Sequence, residues 1–360
     1  MDRKHFHDYD LLRIFAILFV VIGHSTYIAI AGEHGAINYQ LPQNLSPEYN
    51  NWIFGVTRFL VGWVYGFHMP LFFILSGAVF GISSNYSFDT LFVKKVKRLV
   101  IPHFLYCLGF MIPVKWLANF YDNSTVNVAY VNSLGGGVSG HLWFLLALFW
   151  VFIVFWFIRR LSFGSFGAVF LLSLLVELYH KYLPFDFLRF QLGMEYIIWF
   201  CIGYIFQQIR NNISITKFGS ITLLYLTTAA MLVETRYLSA NGATRILIRS
   251  FWIYSVSLCI LKLIPSLSGR RWYKILLRNC FYIYIFHDPL EYVVLRLAFE
   301  YSWLTSSAGC YAYLFSRTAG VVVISVMLGE LVLLVKKKLT ELLQSRLITQ
   351  QKPADSSSGT

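Results

Sequence analysis

Charge is scarce in this chain: Asp, Glu, Lys and Arg together make up 13% of its 360 residues. A soluble domain carries about 25%, so a single core wrapped in a fully water-facing surface is excluded. Metal-ligand cysteine patterns are missing too. Of the five cysteines, Cys107, Cys201, Cys259, Cys280 and Cys310, no two stand at metal-ligand spacing, and four fall inside apolar blocks. They read as small buried hydrophobes, which sets aside a zinc module and a disulfide framework. Two stretches, 119–140 and 299–310, contain no Lys or Arg at all. No internal repeat relates the two halves of the chain.

Apolar and aromatic residues fill the space that charge leaves. Hydrophobic residues make up 57% of the chain and aromatics 18%, with a mean hydropathy of +0.60. They are gathered into blocks near 10–31, 58–82, 98–118, 141–159, 163–180, 193–209, 217–236, 245–264, 273–298 and 311–335. A spanning helix needs roughly 20 mostly apolar residues, so the pattern predicts an all-α, polytopic transmembrane bundle of about ten spans. The block at 163–180 is the weakest, being short and holding Glu177. Ala29-Ile30-Ala31 before Gly32 resembles a signal cleavage site. The first block also carries Arg13 and His24 and is longer than a signal core, so a retained span is expected.

The net charge of +13 does not point to nucleic acid, because the basic residues lie in short clusters between apolar blocks. Of the 30 Lys and Arg residues, 21 fall in alternate inter-block segments, including Lys94, Lys95, Lys97, Arg98, Arg159, Arg160, Arg270, Arg271, Lys336, Lys337 and Lys338. By the positive-inside rule, this alternation predicts both termini in the cytoplasm. The domain plan is one membrane domain over 1–338 and a polar, disordered cytoplasmic tail over 339–360.

Several polar residues interrupt the blocks. Asp10, Arg13 and His24 share the first. On a helix, Arg13 and His24 differ by only about 20° in azimuth and stand about 16 Å apart along the axis. Asp10 lies on the same face, and it reaches Arg13 at i, i+3. Ionisable groups in a span turn toward protein or a wet cavity. The stripe suits either an interfacial Asp10–Arg13 anchor with a packing histidine, or a functional seam with a cationic mouth. His68, Pro70, Ser76 and Gly77 break up the second block, and proline there frees a carbonyl that a neighbour must satisfy. His141 and Trp143 open the fourth block, and His287-Asp288-Pro289 interrupts the ninth. His5, His7, His34, His103 and His180 lie near block ends or in loops and take no role.

At these residues the chain resembles the family 3 membrane acyltransferases, bacterial proteins that O-acylate cell-surface carbohydrates. The resemblance rests on Asp10-x2-Arg13-x10-His24, the Pro70-to-Gly77 segment, Lys95-x2-Arg98-x3-Pro102, His141-Leu142-Trp143-Phe144 and Tyr284-Ile285-Phe286-His287, in that order. Lys95 stands where arginine is common. The resemblance implies a multi-pass protein of the bacterial inner membrane, with no permanently bound cofactor. Its co-substrate would be an acyl-CoA, usually acetyl-CoA, taken from the cytoplasm, and its acceptor a hydroxyl of a surface or lipid-linked carbohydrate. It also implies that His24 is catalytic and that Arg13 helps bind the donor, with Asp10, Lys95 and Arg98 beside it. His68, Ser76, His141, Trp143 and His287 are expected to line the cavity. Direct transfer with His24 as base, and a route through an acylated His24, are both open. A transporter of a lipid-linked sugar is the main rival, since broken helices and inward polar residues suit transport as well.

Overall fold

The computed structural model describes residues 7–25, 52–82, 86–118, 120–121, 123–137, 140–183, 185–209, 215–234, 242–264, 267, 269–298 and 306–350. Among them there is helix and no strand. The segment 32–51 and the residues after 350 lie outside the described set.

The helices follow the apolar blocks. They are α1 (His7–Ser25), α2 (Trp52–Ile82), α3 (Phe88–Lys95), α4 (Ile101–Tyr106), α5 (Ile112–Leu117), α6 (Thr125–Leu134), α7 (Trp143–Leu161) and α8 (Phe166–Tyr179). Then come α9 (Phe190–Glu195), α10 (Ile197–Ile209), α11 (Lys217–Val233), α12 (Gly242–Leu263), α13 (Arg271–Ala298) and α14 (Ser307–Gln350). Several starts are capped by a side chain that accepts from an otherwise orphaned N–H. Ser87 caps α3, Ser165 caps α8 and Thr216 caps α11. Four helical stretches are long and apolar enough to cross a bilayer, namely Phe88–Leu117, Gly140–Leu161, Thr244–Leu263 and Tyr311–Ser345. The protein is a helical membrane protein.

Some boundaries differ from the sequence expectation, for physical reasons. The basic run Lys94–Arg98 does not precede its helix. It lies inside a continuous rod, Phe88–Leu117, in which α3, α4 and α5 are joined by π turns at Val96–Val100 and Cys107–Met111. Each π turn stands just before a proline, Pro102 or Pro113, where the missing N–H disrupts the regular ladder. Residues 339–350, expected as disordered tail, are helical, because α14 continues to Gln350. Polar composition did not end it: 336–350 holds three Lys, four Leu and two Gln, with one Glu and one Arg, all good helix formers. Pro289 does not interrupt α13, which passes through it unbroken.

Between apolar helices in lipid, association depends on close packing more than on the hydrophobic effect. Here α2 and α10 cross on two glycines. A Cβ at Gly203 would overlap the Ile74 carbonyl oxygen, and one at Gly77 would overlap that of Phe200. This contact sets the wall that carries Ser76. The core around it is aromatic: Phe80 packs against Phe152, Phe155 and Phe200, and Phe73 stacks on Tyr196.

Candidate active site

Two features gather the polar side chains of α1 and α13. The first is a cavity of about 570 Å³ lined by Arg13 and Ile17 of α1, Ser76 of α2, the Lys95–Pro102 turn, Phe144 and Phe152 of α7, Arg278 and Tyr284 of α13, and Lys336 of α14. Among the described residues, six that line it are basic (Arg13, Lys95, Lys97, Arg98, Arg278 and Lys336) and none is acidic. Arg13 pairs with Asp10 at 3.7 Å, the i, i+3 contact the spacing anticipates, and leaves its side chain 43% exposed. Lys95 rests its ammonium 3.1 Å from the centre of the Phe152 ring, a cation–π contact. Arg278 bonds Glu330 of α14 at 2.6 Å.

The second feature is a buried knot around Asp288. Its Oδ1 lies 3.4 Å from His24 Nδ1. Its Oδ2 takes Lys115 Nζ at 2.6 Å and His141 Nδ1 at 3.1 Å. One carboxylate from α13 thus gathers side chains from α1, α5 and the turn before α7. The other nitrogen of His141 donates to the Ile285 carbonyl at 2.9 Å. That carbonyl is free because the residue four further on is Pro289, which has no N–H to give it. Proline therefore shapes the site by opening an acceptor, without breaking the helix. Tyr284 completes this side, its hydroxyl donating to the His141 carbonyl at 2.5 Å. Directly before His141, Gly140 adopts φ +45°, and a Cβ there would meet Lys115 Nζ at 3.3 Å. Glycine is the residue that lets the chain turn over the ion pair.

His287 stands beside the knot, its ring 5.0 Å from that of His24 and 4.9 Å from that of His141, both edge to face. Behind His24, the next residue is fixed by a second buried cluster. Ser25 Oγ bonds Glu291 Oε1 at 2.7 Å, Glu291 is ion-paired with Arg317, and Arg317 Nη1 donates to the Ser25 carbonyl at 3.1 Å and to Tyr313 at 2.5 Å. Glu291 and Arg317 are 2% and 1% exposed. A charge buried this deeply requires such pairing.

Tyr284 joins the two features, since it lines the cationic cavity and bonds into the knot. The remaining sequence candidates fall as follows. Ser76 lines the cavity. His68 is buried, donates Nδ1 to its own helix at the Val64 carbonyl and lies within electrostatic reach of His24. Trp143 packs on Tyr196 and Phe144.

The model of the family 3 acyltransferase domain matches residues 6–329. The chain belongs to the family 3 acyltransferases. It is a membrane acyltransferase by that membership. No curated protein and no solved structure matches it.

The acyltransferase holds groups that the sequence reading does not single out. Lys115, Glu291 and Arg317 are absent from it, and Asp288 enters only as a neighbour of His287. The signal is present: each is an ionisable residue within an apolar block, where a paired or functional role is the default. Lys115 further breaks the charge rule, lying at the end of its block that borders the Lys- and Arg-free stretch 119–140. His103, set aside as peripheral, is fully buried, and its Nδ1 meets the Leu142 carbonyl at 3.2 Å, tying α4 to the turn that carries His141.

Proposed function

We propose that this acyltransferase moves an acyl group, acetyl in the simplest case, from cytoplasmic acyl-CoA to a hydroxyl of a surface or lipid-linked carbohydrate. We further read it as a ten-span protein of the bacterial inner membrane with both termini in the cytoplasm. The observation that carries the reading is the juxtaposition of a cavity ringed by six cations with an imidazole–carboxylate knot, through the shared residue Tyr284.

Acyl-CoA is long and thin, with phosphates at one end and a thioester at the other. Arg13, Lys95 and Arg98 suit the phosphates, guanidinium groups doing so by charge-assisted bonds. The thioester end then runs past Ser76 and Tyr284 toward His24. Arg13 and His24 are about 16 Å apart along α1, a span that the pantetheine arm bridges. The basic cavity is built from the early part of α1 and α13, and the knot from their later parts, so donor and acceptor approach from opposite ends.

Asp288 against Nδ1 holds His24 in the tautomer with Nδ1 protonated, and chemistry falls to Nε2. In direct transfer, Nε2 takes the hydroxyl proton as the oxygen attacks the thioester carbon. The C–S bond breaks, and the imidazolium returns the proton to the thiolate, giving free CoA. Asp288 stabilises the imidazolium while it lasts. Lys115 and His141 hold Asp288 in place. Backbone and side-chain donors near the knot also suit stabilisation of the oxyanion.

The test is incubation of the purified protein in nanodiscs with radiolabelled acetyl-CoA and surface glycan from the source cells. Label appearing in the glycan supports the reading. Transbilayer movement of unmodified sugar lipid, without label transfer, supports the transporter instead.

A further inference from the structure

His287 is an oddity within the knot. It is completely buried, and its Nδ1 lies 3.0 Å from the Ile283 carbonyl and 2.8 Å from the Tyr284 carbonyl of its own helix. Carbonyls only accept, so Nδ1 carries the hydrogen and Nε2 is a bare lone pair. That lone pair meets no hydrogen-bond partner among the described residues. Buried polar atoms are nearly always satisfied, and an exception calls for an explanation. The neighbouring histidine offers the contrast, since both nitrogens of His141 are engaged, by Asp288 and Ile285. An unfilled acceptor next to the His24 ring is matched to a hydrogen-bond donor brought by the substrate.

A single hydroxyl carries one hydrogen and cannot serve both imidazoles. Two hydroxyls on adjacent carbons can, one for each ring, and the rings of His24 and His287 are 5.0 Å apart. Resting on the carbohydrate-acceptor reading above, we propose that the acceptor is a vicinal diol. The hydroxyl that is acylated donates to His24, and its neighbour donates to His287 Nε2. His287 is then a specificity-determining residue, and it transfers no proton in the reaction. His24, with 18% of its side chain exposed, is the accessible edge of the pair, and the acceptor approaches from that edge, since the two rings are in edge-to-face contact and admit nothing between them. Sites built to bond a substrate hydroxyl reject analogues that lack it, because the buried partner is left unpaired.

The experiment uses the sugar unit that becomes labelled in the glycan assay, as its methyl glycoside, together with the monodeoxy sugar lacking the hydroxyl next to the acylated one. Both are offered with acetyl-CoA to wild-type and His287→Asn protein in nanodiscs. Asparagine keeps an N–H for the helix carbonyls but deletes the Nε2 lone pair. Wild type is expected to prefer the diol on the order of 100-fold in kcat/KM. His287→Asn should narrow that preference to about tenfold or less, through loss of diol activity with acetyl-CoA binding unchanged. Equal use of both sugars by wild type overturns the proposal, as does full discrimination by His287→Asn. If His287→Asn does not fold, His287→Gln, whose amide oxygen reaches toward the Nε2 position, is expected to keep the preference, and its loss there overturns the assignment. Absence of label transfer to any carbohydrate removes the acceptor class itself, and this inference with it. Transfer that ignores the neighbouring hydroxyl removes this inference alone.

Discussion

Lys115 Nζ meets Asp288 Oδ2 at 2.6 Å, both side chains buried, one from the end of the Phe88–Leu117 rod and the other from α13. This contact locks the helix that carries Asp288 against the rod, and with it the partner of His24. Removing one member of a buried pair strands the other, which costs about 3–5 kcal/mol.

Lys115→Met is therefore expected to lower stability by that amount in a thermal melt of the detergent-solubilised protein. The double variant Lys115→Met/Asp288→Asn should recover much of the loss, because neither partner is left as an uncompensated charge. Activity should not return with it, since His24 has lost the carboxylate that orients it. A double variant no more stable than the worse single one would show that the pair is not coupled.

Arg13 tests the donor end. Its guanidinium is partly exposed, so screening reduces its contribution. Arg13→Ala should weaken acetyl-CoA binding by roughly tenfold, about 1.4 kcal/mol, and leave the acceptor KM unchanged. Isothermal titration with a non-hydrolysable acetyl-CoA analogue measures it, and unaltered affinity removes Arg13 from the donor site.

Gly203 tests the packing that holds the cavity wall. Any Cβ there would overlap the Ile74 carbonyl oxygen, and backbone atoms cannot swing aside. Gly203→Ala should cost at least about 1–3 kcal/mol, the usual penalty of overpacking, by forcing α2 and α10 apart. A melt within experimental error of wild type would mean that the two helices are not held at this crossing.

The orientation is tested by single cysteines in a background without the native ones. Phe163, 96% exposed between α7 and α8, and Val131, 68% exposed on α6, lie on opposite sides in the ten-span plan. A membrane-impermeant maleimide added to intact spheroplasts should label Val131→Cys and spare Phe163→Cys until the membrane is opened. The reverse pattern inverts the orientation.

Much of this was legible in the sequence, and the divide has a physical origin. Periodicity is local, so the apolar blocks map onto the helices, and the spacing of Asp10 and Arg13 anticipates their 3.7 Å contact. Partners from distant blocks leave no such trace. Nothing within α13 says that Asp288 will face Lys115 and His24, or that Pro289 opens a carbonyl for His141 from another element. What the sequence does carry is their cost. Lys115, Glu291 and Arg317 are ionisable residues in apolar stretches, and each implies a buried partner before any fold is known. The extent of α14 escapes for the opposite reason: polarity from residue 339 onward suggests disorder, although Lys, Leu, Glu and Gln also build helices.

The most direct measurement is label transfer from radiolabelled acetyl-CoA to source-cell glycan by wild-type and His24→Ala protein, with acetyl-CoA affinity recorded for each. Wild type is expected to label the glycan, and His24→Ala to bind acetyl-CoA normally but transfer nothing above background. Undiminished transfer by His24→Ala would contradict the catalytic role of His24.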